Sequence, residues 1–437
     1  KTSLLMTWFC GLLIFIDDYF NSLAVGTVMR PITDKNGVAR AQLAYILDST
    51  AAPVCILVPI SSWVITVMSI VKGSEGFSSL GISEFSFFMR SVPYNLYAIL
   101  TLIMVLYVIL SGRDYGPMAR SIAYAKETGK LYNEVYGPAP GDIDDGGEAN
   151  AAKAKPLDML LPILVLIVSA VILFPITTYL GAIDGEGVAT LAASMASMSL
   201  GDAFNNTDAS MALFYSVIFT LVISYVYYTV RKLFTIKSAS EAIGDGIKSM
   251  VPALIILTMA WTIGSVIKSS PEDGGLGLAA YLSEVVVGGG FPIGLIPVIA
   301  FALSALISFS TGTSWGTFAI MIPIVMPIAV GLAQAKGLEG AALLNAAMIS
   351  VSAVLGGAVF GDHASPISDT TILSSTGAGC PHLEHVATQM PYAITVAVCA
   401  LVGFIFGGIF LNVLVAWIAT FATFAVAMVV LPRLYAK

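Results

Sequence analysis

Charged side chains are scarce in this chain of 437 residues. Asp, Glu, Lys and Arg together make up 11% of it, whereas a soluble domain has about 25%. The 20 Lys and Arg are outnumbered by 27 Asp and Glu and form no basic stripe, so the chain lacks the positive surface that binds nucleic-acid phosphates. These shortages exclude most soluble folds, and we expect no nucleic-acid partner.

Patterns of soft metal ligands and of disulfides are also missing. The four cysteines show no Cys-x-x-Cys spacing, which predicts buried structural thiols. Of the three histidines, His382 and His385 have no Cys partner that would favour zinc, so we interpret both as part of a polar loop. The sequence therefore predicts no cofactor.

Apolar residues dominate what remains. They make up 57% of the chain, the mean hydropathy is +0.89, and apolar runs recur at the length of about 20 residues that a bilayer-spanning helix needs. This composition predicts an all-α polytopic membrane protein, a multi-pass protein of the cell (plasma) membrane surrounded by the lipid bilayer. The predicted spans are 47–71, 93–110, 157–182, 209–230, 249–267, 389–412 and 414–432. Shorter runs predict half-helices and re-entrant arms at 4–16, 188–200, 276–288, 301–310, 314–330 and 341–360.

A polar segment at 111–156 divides the chain in two. Its Gly-Pro-Ala-Pro-Gly run and the acids that follow predict a solvated interhelical linker. We assign the first half of a repeat to 1–110 and the second half to 157–437. Within the second half we predict a hairpin at 291–334 and a broken helix at 341–380.

The repeat is suggested by two short acidic runs. Phe-Ile-Asp-Asp at 15–18 matches Phe-Gly-Asp-His at 360–363. Lys and Arg follow the first copy closely, whereas 364–389 contain neither. Because positive loops stay on the cytoplasmic side, the two exits are expected on opposite faces, as in inverted repeats.

Acids at the ends of apolar runs predict the functional site. A carboxylate near the bilayer midplane costs about 2.5–3.5 kcal/mol, so such acids are not expected without a use. The acids are Asp17, Asp18, Asp362 and Asp369. Short oxygen-bearing side chains accompany them, namely Asn21, Ser22, Ser365, Ser368, Thr370 and Thr371. These hard ligands suit sodium, which we predict at Asp362 and Asp369, with His363 as a candidate proton relay.

A second polar island, at 308–317, predicts the tip of a helical hairpin. The N–H groups that open its second arm form a positive end able to hold an anion or a substrate carboxylate. Its candidate ligands are Thr311, Thr313 and Ser314. The island also matches the G-x-S-x-G elbow of serine hydrolases, but that motif needs a strand before it and a soluble sheet beneath it, so we do not predict an enzyme.

A weaker site candidate lies at 201–210, before the apolar run at 211–230. Asn206 and Asp208 are the residues in question. Capping of the following helix by Asp208 is an equally good interpretation.

Several of these stretches together resemble the NhaC-type sodium/proton antiporter family, within the ion-transporter superfamily of elevator-type secondary carriers. The matching runs are 16–23, 29–34, 47–53, 310–317 and 361–371, with 206–210 as a looser match. The resemblance implies a homodimer in which a scaffold supports a mobile transport domain, with two hairpin tips and two broken helices around the site. Only 16 residues precede Asp17, whereas Thr311 lies 51 residues before Asp362. The first hairpin therefore has no room, and we expect the native chain to have a further N-terminal portion.

The resemblance and the acids favour a secondary active transporter that exchanges sodium for protons by elevator-type alternating access. In this hypothesis Asp362, with Asp369 or Asp17, binds either a proton or sodium, and the site moves only when its charge is compensated. A sodium- or proton-coupled carrier of a small organic acid or amino acid is the alternative, with the carboxylate held at the hairpin tip. An intramembrane aspartyl protease would need two acids that share a proton, and the surrounding Ser, Thr and Asn oxygens favour ion coordination instead.

Overall fold

The computed structural model describes residues 1–137, 155–185, 190–205, 207, 209–245 and 288–435, with scattered positions between 247 and 285. The regular elements that these residues form are α-helices and short 3-10 turns. The helical stretches long and apolar enough to cross a membrane are Leu96–Thr128, Leu161–Ile183, Met211–Val230, Ile293–Thr311, Ser314–Ala335, Gly340–Ala364, His382–Phe410 and Val413–Leu434. The first contains four non-helical residues, 112–115, and the fourth opens with a 3-10 turn at Ile293–Leu295. These stretches confirm an all-α, multi-pass membrane protein.

The chain divides into two compact units, 1–81 with 90–143 and 256–437, and 82–89 with 144–255. The described helices of the first unit are α1 (Thr2–Leu13), α2 (Asp18–Lys35), α3 (Arg40–Thr50), α4 (Ala52–Cys55), α5 (Ser62–Gly73), α7 (Leu96–Ser111), α8 (Gly116–Thr128), α13 (Ile296–Thr311), α14 (Ser314–Ala335), α15 (Gly340–Ala364), α16 (Asp369–Ala378), α17 (His382–Phe410) and α18 (Val413–Tyr435). Those of the second unit are α9 (Pro156–Gly185), α10 (Leu191–Ser197), α11 (Leu200–Asn205) and α12 (Ala209–Val230), and α6 (Glu84–Ser91) crosses the boundary.

Helix α15 is the centre of the first unit. In the most apolar stretch of α15, 83% of the residues are buried, against 22% in that of α18. Helix α15 therefore lies in the protein interior, while α18 exposes apolar side chains suited to lipid. Small residues let α13 pack tightly on α15. A Cβ atom on Gly361 would lie 2.5 Å from the carbonyl oxygen of Ala305, and close backbone approach of this kind is typical of membrane helix pairs.

In the second unit, α9 and α12 are tied together where α9 begins. The Asp158 carboxylate accepts hydrogen bonds from the Tyr227 hydroxyl at 2.6 Å and from Arg231 at 3.1 Å. The Tyr228 hydroxyl donates to the Asp158 carbonyl at 2.6 Å. The hydrogen bond from Tyr227 is the main cause that holds the pKa of Asp158 below its ordinary value.

The prediction of one span at 47–71 is wrong. Helix α3 ends at Thr50, α4 is a single turn, and α5 begins only at Ser62. Pro53 and Pro59 interrupt this stretch; because proline has no N–H and disfavours helix before it, an apolar run alone does not give a continuous helix.

Other predicted elements differ in length or lie elsewhere. The apolar runs at 301–310, 314–330 and 341–360, predicted to stop before a full crossing, belong to helices of 19, 22 and 25 residues. The run at 249–267 lies mostly outside the described residues. Within 111–156, α8 packs on α17, where the Ser121 hydroxyl donates to Glu384 at 2.6 Å.

Candidate functional site

The site begins at the turn between α13 and α14, here called the hairpin tip (Gly312 and Thr313). Gly312 has a left-handed backbone with φ +69°, and a Cβ atom there would lie 2.8 Å from the carbonyl oxygen of Ile367. Glycine is therefore required both by the turn and by the close neighbour. Thr313 opens α14, and its hydroxyl accepts from the backbone N–H of Trp315 at 3.3 Å.

The hairpin tip lies against the gap between α15 and α16, here called the break loop (Ser365–Ser368). The Ser365 hydroxyl donates to the carbonyl of Phe309, on the last turn of α13, at 2.8 Å. Such irregular backbone is stable at membrane depth only where protein surrounds it. The predicted hairpin and the predicted broken helix thus meet each other in the fold.

Asp362 joins these two irregular segments. Its side chain is buried at 4% exposure. One carboxylate oxygen accepts from the Ser314 hydroxyl at 2.7 Å and from the Ser314 N–H at 3.2 Å, and the other accepts from the Ser368 hydroxyl at 2.6 Å. The N-terminus of α14, expected to hold an anion, therefore holds the protein's own carboxylate.

More acids open α2 nearby. Asp17 caps this helix by accepting from the N–H of Phe20 at 3.0 Å. Asp18 is 2% exposed, accepts from the indole N–H of Trp63 at 3.2 Å, and is repelled electrostatically by Asp17 and Asp362. Like charges held this close create a negative potential that attracts a cation.

The remaining acid lies at the edge of this group. Asp369 is exposed, and its carboxylate accepts from the hydroxyl of Tyr19 at 3.1 Å. The Thr370 hydroxyl lies 2.9 Å from that of Ser368, next to Asp362. Asp362 and Asp369 thus stand on either side of the break loop, and sodium between them stays a prediction.

Two predicted ligands also hold helices together. The oxygen of one of them, Asn21 Oδ1, is buried without a hydrogen-bond partner among the described residues. The Asn21 amide nitrogen lies 2.6–2.9 Å from the carbonyls of Gly11, Ile14 and Thr50, where α1 and α3 end. The Ser22 hydroxyl accepts from that of Ser374 at 3.1 Å, which ties α2 to α16.

The two predicted threonine ligands Thr311 and Thr371 differ in their hydrogen bonding. The Thr311 hydroxyl donates back into its own helix, to the carbonyl of Ile307 at 2.9 Å. Thr371 is buried, and its hydroxyl has no hydrogen-bond partner among the described residues. Asn206 and Asp208 lie outside the described residues.

The two acidic runs of the repeat differ in where they stand relative to the helix breaks. Asp17 is the N-cap residue of α2, and Ser368 occupies the N-cap position of α16, whereas Asp362 belongs to the last turn of α15, before the break. By position in the fold, Asp18 corresponds to Asp369, so the sequence match at 15–18 and 360–363 is six residues out of register.

Sequence reasoning missed a buried polar group next to His363. The interpretation of His382 and His385 as loop residues is wrong, because both belong to α17 and His385 is fully buried. His385 pairs with Asp48 of α3 at 3.1 Å. The available signal was an acid at the start of an apolar run and a His and Gln spaced i, i+4 at 385 and 389, which places both on one helix face.

Comparison with known proteins agrees with this architecture. A model of the Na⁺/H⁺ antiporter family matches residues 54–409. An uncharacterised protein of Haemophilus influenzae is 38% identical over 420 residues, which are 95% of this chain and 72% of that relative. An uncharacterised Na⁺/H⁺ antiporter of the same organism is 33% identical over 34% of this chain and 28% of its own length. The malate-2H⁺/Na⁺-lactate antiporter of Bacillus subtilis is 28% identical over 47% of this chain and 40% of its own length. No solved structure matches. The family match extends over most of the chain, and the protein belongs to the Na⁺/H⁺ antiporter family.

Proposed function

We propose that this protein exchanges sodium ions for protons across the cell membrane and that Asp362 is the residue at which the two compete. The observation that carries the proposal is the setting of this carboxylate, which is buried and hydrogen-bonded by Ser314 and Ser368 rather than by a lysine or arginine. A bare carboxylate is costly inside a membrane. A proton or a sodium ion removes that cost equally well, and binding of one excludes the other.

The surroundings of Asp362 support sodium as the metal ion. The hydroxyls of Ser314, Ser368 and Thr370 are hard oxygen donors that can turn their lone pairs toward a cation. Asp18 adds negative potential without a direct hydrogen bond to Asp362.

We further propose that the hairpin tip and the break loop travel together as the mobile part of a homodimeric elevator. Their direct contact supports this, because the Ser365 to Phe309 hydrogen bond and the Asp362 bonds would have to break if either moved alone. A cysteine at Ile367 on a cysteine-free background tests the movement: labelling from one face should depend on sodium, and sodium-independent labelling would contradict it.

Proteoliposomes with an internal pH dye test the exchange itself. External sodium should alkalinise the interior, potassium should not, and Asp362→Asn should abolish the signal while the protein still elutes as a folded particle. Asp34→Asn is the matched control, because Asp34 pairs with Arg40 at the far end of α2 and lies outside the site. Sodium-driven flux that persists in Asp362→Asn would overturn the assignment.

A second candidate is a coupled carrier of a small organic acid, because one relative is named a malate-2H⁺/Na⁺-lactate antiporter. The same liposomes, loaded with malate or lactate, separate the two functions. Flux that needs the organic acid on one side would favour the carrier. Occupation of the α14 N-terminus by Asp362 instead favours simple sodium/proton exchange.

A further inference from the structure

A buried ion pair lies beside the proposed exchange site. Asp48, on the last turn of α3, is 1% exposed, and His385 of α17 is fully buried. The imidazole Nε2 of His385 lies 3.1 Å from Asp48 Oδ2. Acid and base of this kind are rarely buried without a partner, and here each is the partner of the other.

Gln389 connects this pair to the exchange site. Its amide nitrogen donates to Asp48 Oδ2 at 2.8 Å and to the carbonyl of His363 at 2.7 Å. His363 follows Asp362 directly in α15, and Asp48 interacts electrostatically with both. The charge on the buried pair and the charge on Asp362 therefore influence each other.

The pair keeps unused hydrogen-bonding capacity. Asp48 Oδ1, His385 Nδ1 and Gln389 Oε1 are all buried without a hydrogen-bond partner among the described residues. A purely structural buried network is normally fully satisfied, because each unpaired polar atom is costly. Unused capacity at His385 Nδ1 is what a site needs if it is to gain and lose a proton.

The charges that face the pair favour proton uptake. From α15 it faces His363 and Asp362, and from α7 the hydroxyl of Tyr97. His363 has partners on both ring nitrogens, Tyr97 at 2.8 Å and Ser49 at 3.2 Å. With a neutral imidazole, Asp48 and Asp362 leave two uncompensated negative charges. A proton on the imidazole cancels one of them.

We propose that Asp48 and His385 form a second proton-binding site, distinct from Asp362, in which neutral His385 donates from Nε2 to Asp48 and the proton adds at Nδ1. This inference rests on the proposed sodium/proton exchange only for its role in transport. Electrostatic repulsion between the two sites means that the pair holds its proton most firmly while Asp362 is empty and ionised. Protonation then keeps the net charge of the buried region low.

The three histidines of the chain allow a direct test on the untagged wild-type protein. With ¹⁵N-labelled histidine, nuclear magnetic resonance should show three imidazoles, and the one missing in His385→Gln is His385. We expect its nitrogens to change from the neutral to the charged pattern between about pH 5 and 8, the range in which histidine titrates. An imidazole that stays in one form throughout this range would overturn the proposal.

Counting protons gives a second readout. Acid titration of the purified protein should show His385→Gln taking up one proton fewer than wild type, and Asp48→Asn the same loss, because a buried imidazolium without Asp48 is uncompensated. His382→Gln is the control variant, since His382 lies on the same helix, is partly exposed and does not belong to the pair. Identical titration of wild type and both pair variants would refute the second site.

The outcome does not depend on transport. If external sodium drives no proton flux, the proposed function fails, yet the titration of His385 can still be observed. Asp362→Asn keeps the pair but removes the neighbouring negative charge, so His385 should still take up its proton, though less firmly than in wild type. If that variant loses exchange while His385 still titrates, the two sites are separate. If His385 remains silent while exchange is intact, only the second site is wrong.

Discussion

Replacement of Gly361 by alanine should separate α13 from α15 and disturb Asp362. The new Cβ atom would lie 2.5 Å from the carbonyl oxygen of Ala305 and 2.6 Å from the backbone nitrogen of Phe309. These are backbone atoms, so no side-chain rotation relieves the clash. The helices must part by about 0.9 Å, the difference between 2.5 Å and the 3.4 Å at which ordinary contact begins. Overpacking of this size costs about 1–3 kcal/mol.

Movement of α13 would carry the hairpin tip with it. The Ser314 hydroxyl now lies 2.7 Å from the Asp362 carboxylate, and an increase of about 0.9 Å exceeds the range of a hydrogen bond. We therefore expect Gly361→Ala to lower both the melting temperature in detergent and the rate of sodium-driven proton flux in proteoliposomes.

Gly181→Ala is the matched control for this experiment. Gly181 is also a helical glycine, but a Cβ atom there meets nothing within 4 Å. It should show only the gain of about 1 kcal/mol that alanine has over glycine in a helix. Equal melting temperatures and equal flux in the two variants would refute the argument that the α13–α15 contact positions Asp362.

Three further predictions concern other parts of the fold. Asn21→Ala removes the amide nitrogen that lies against three carbonyls at the ends of α1 and α3. Because each unpaired buried acceptor costs about 1–3 kcal/mol, the melting temperature should fall clearly. An unchanged melting temperature would show that the amide is not needed there. Gly312→Ala places alanine in a left-handed backbone, which costs about 1–2 kcal/mol, and its Cβ atom meets the Ile367 carbonyl. It should therefore lose more stability and flux than Gly37→Ala, where φ is +65° but the space around the Cβ atom is open. Equal losses in the two variants would contradict the contact with Ile367. Asp158→Asn should lower the melting temperature at neutral pH. Because the pKa of Asp158 is lowered in the folded protein, the difference in melting temperature from wild type should shrink as the pH falls below about 3.9. A difference in melting temperature that does not depend on pH would argue against the ionised contact.

Apolar length and polar interruption predict much of this fold. The run at 93–110 is α-helical from Leu96, and the run at 389–412 is helical to Phe410 although Pro391 lies inside it. The break at 365–368 was predictable because Pro366 follows an acidic turn. Apolarity at 47–71 is misleading, since Pro53 and Pro59 decide the local structure there.

Contacts across long stretches of chain were not predictable. Asp362 and Ser368 are six residues apart, so their meeting follows from a helix end and a short loop. Asp48 and His385 are 337 residues apart, and neither residue carries a local signal that names the other. The residue type of Asn21 suggests an ion ligand, but only the fold reveals that its amide nitrogen lies against three carbonyls while its oxygen is left without a hydrogen-bond partner among the described residues.

The bonds of Asp362 have a mechanical consequence. The Asp362 carboxylate links the start of α14 to the end of the break loop, because one oxygen accepts from Ser314 and the other accepts from Ser368. In the proposed exchange, a proton would occupy an oxygen that now accepts from a serine, and a sodium ion would turn both serine hydroxyls around. Binding of either cargo in the proposed exchange would therefore also weaken the link between the hairpin tip and the break loop.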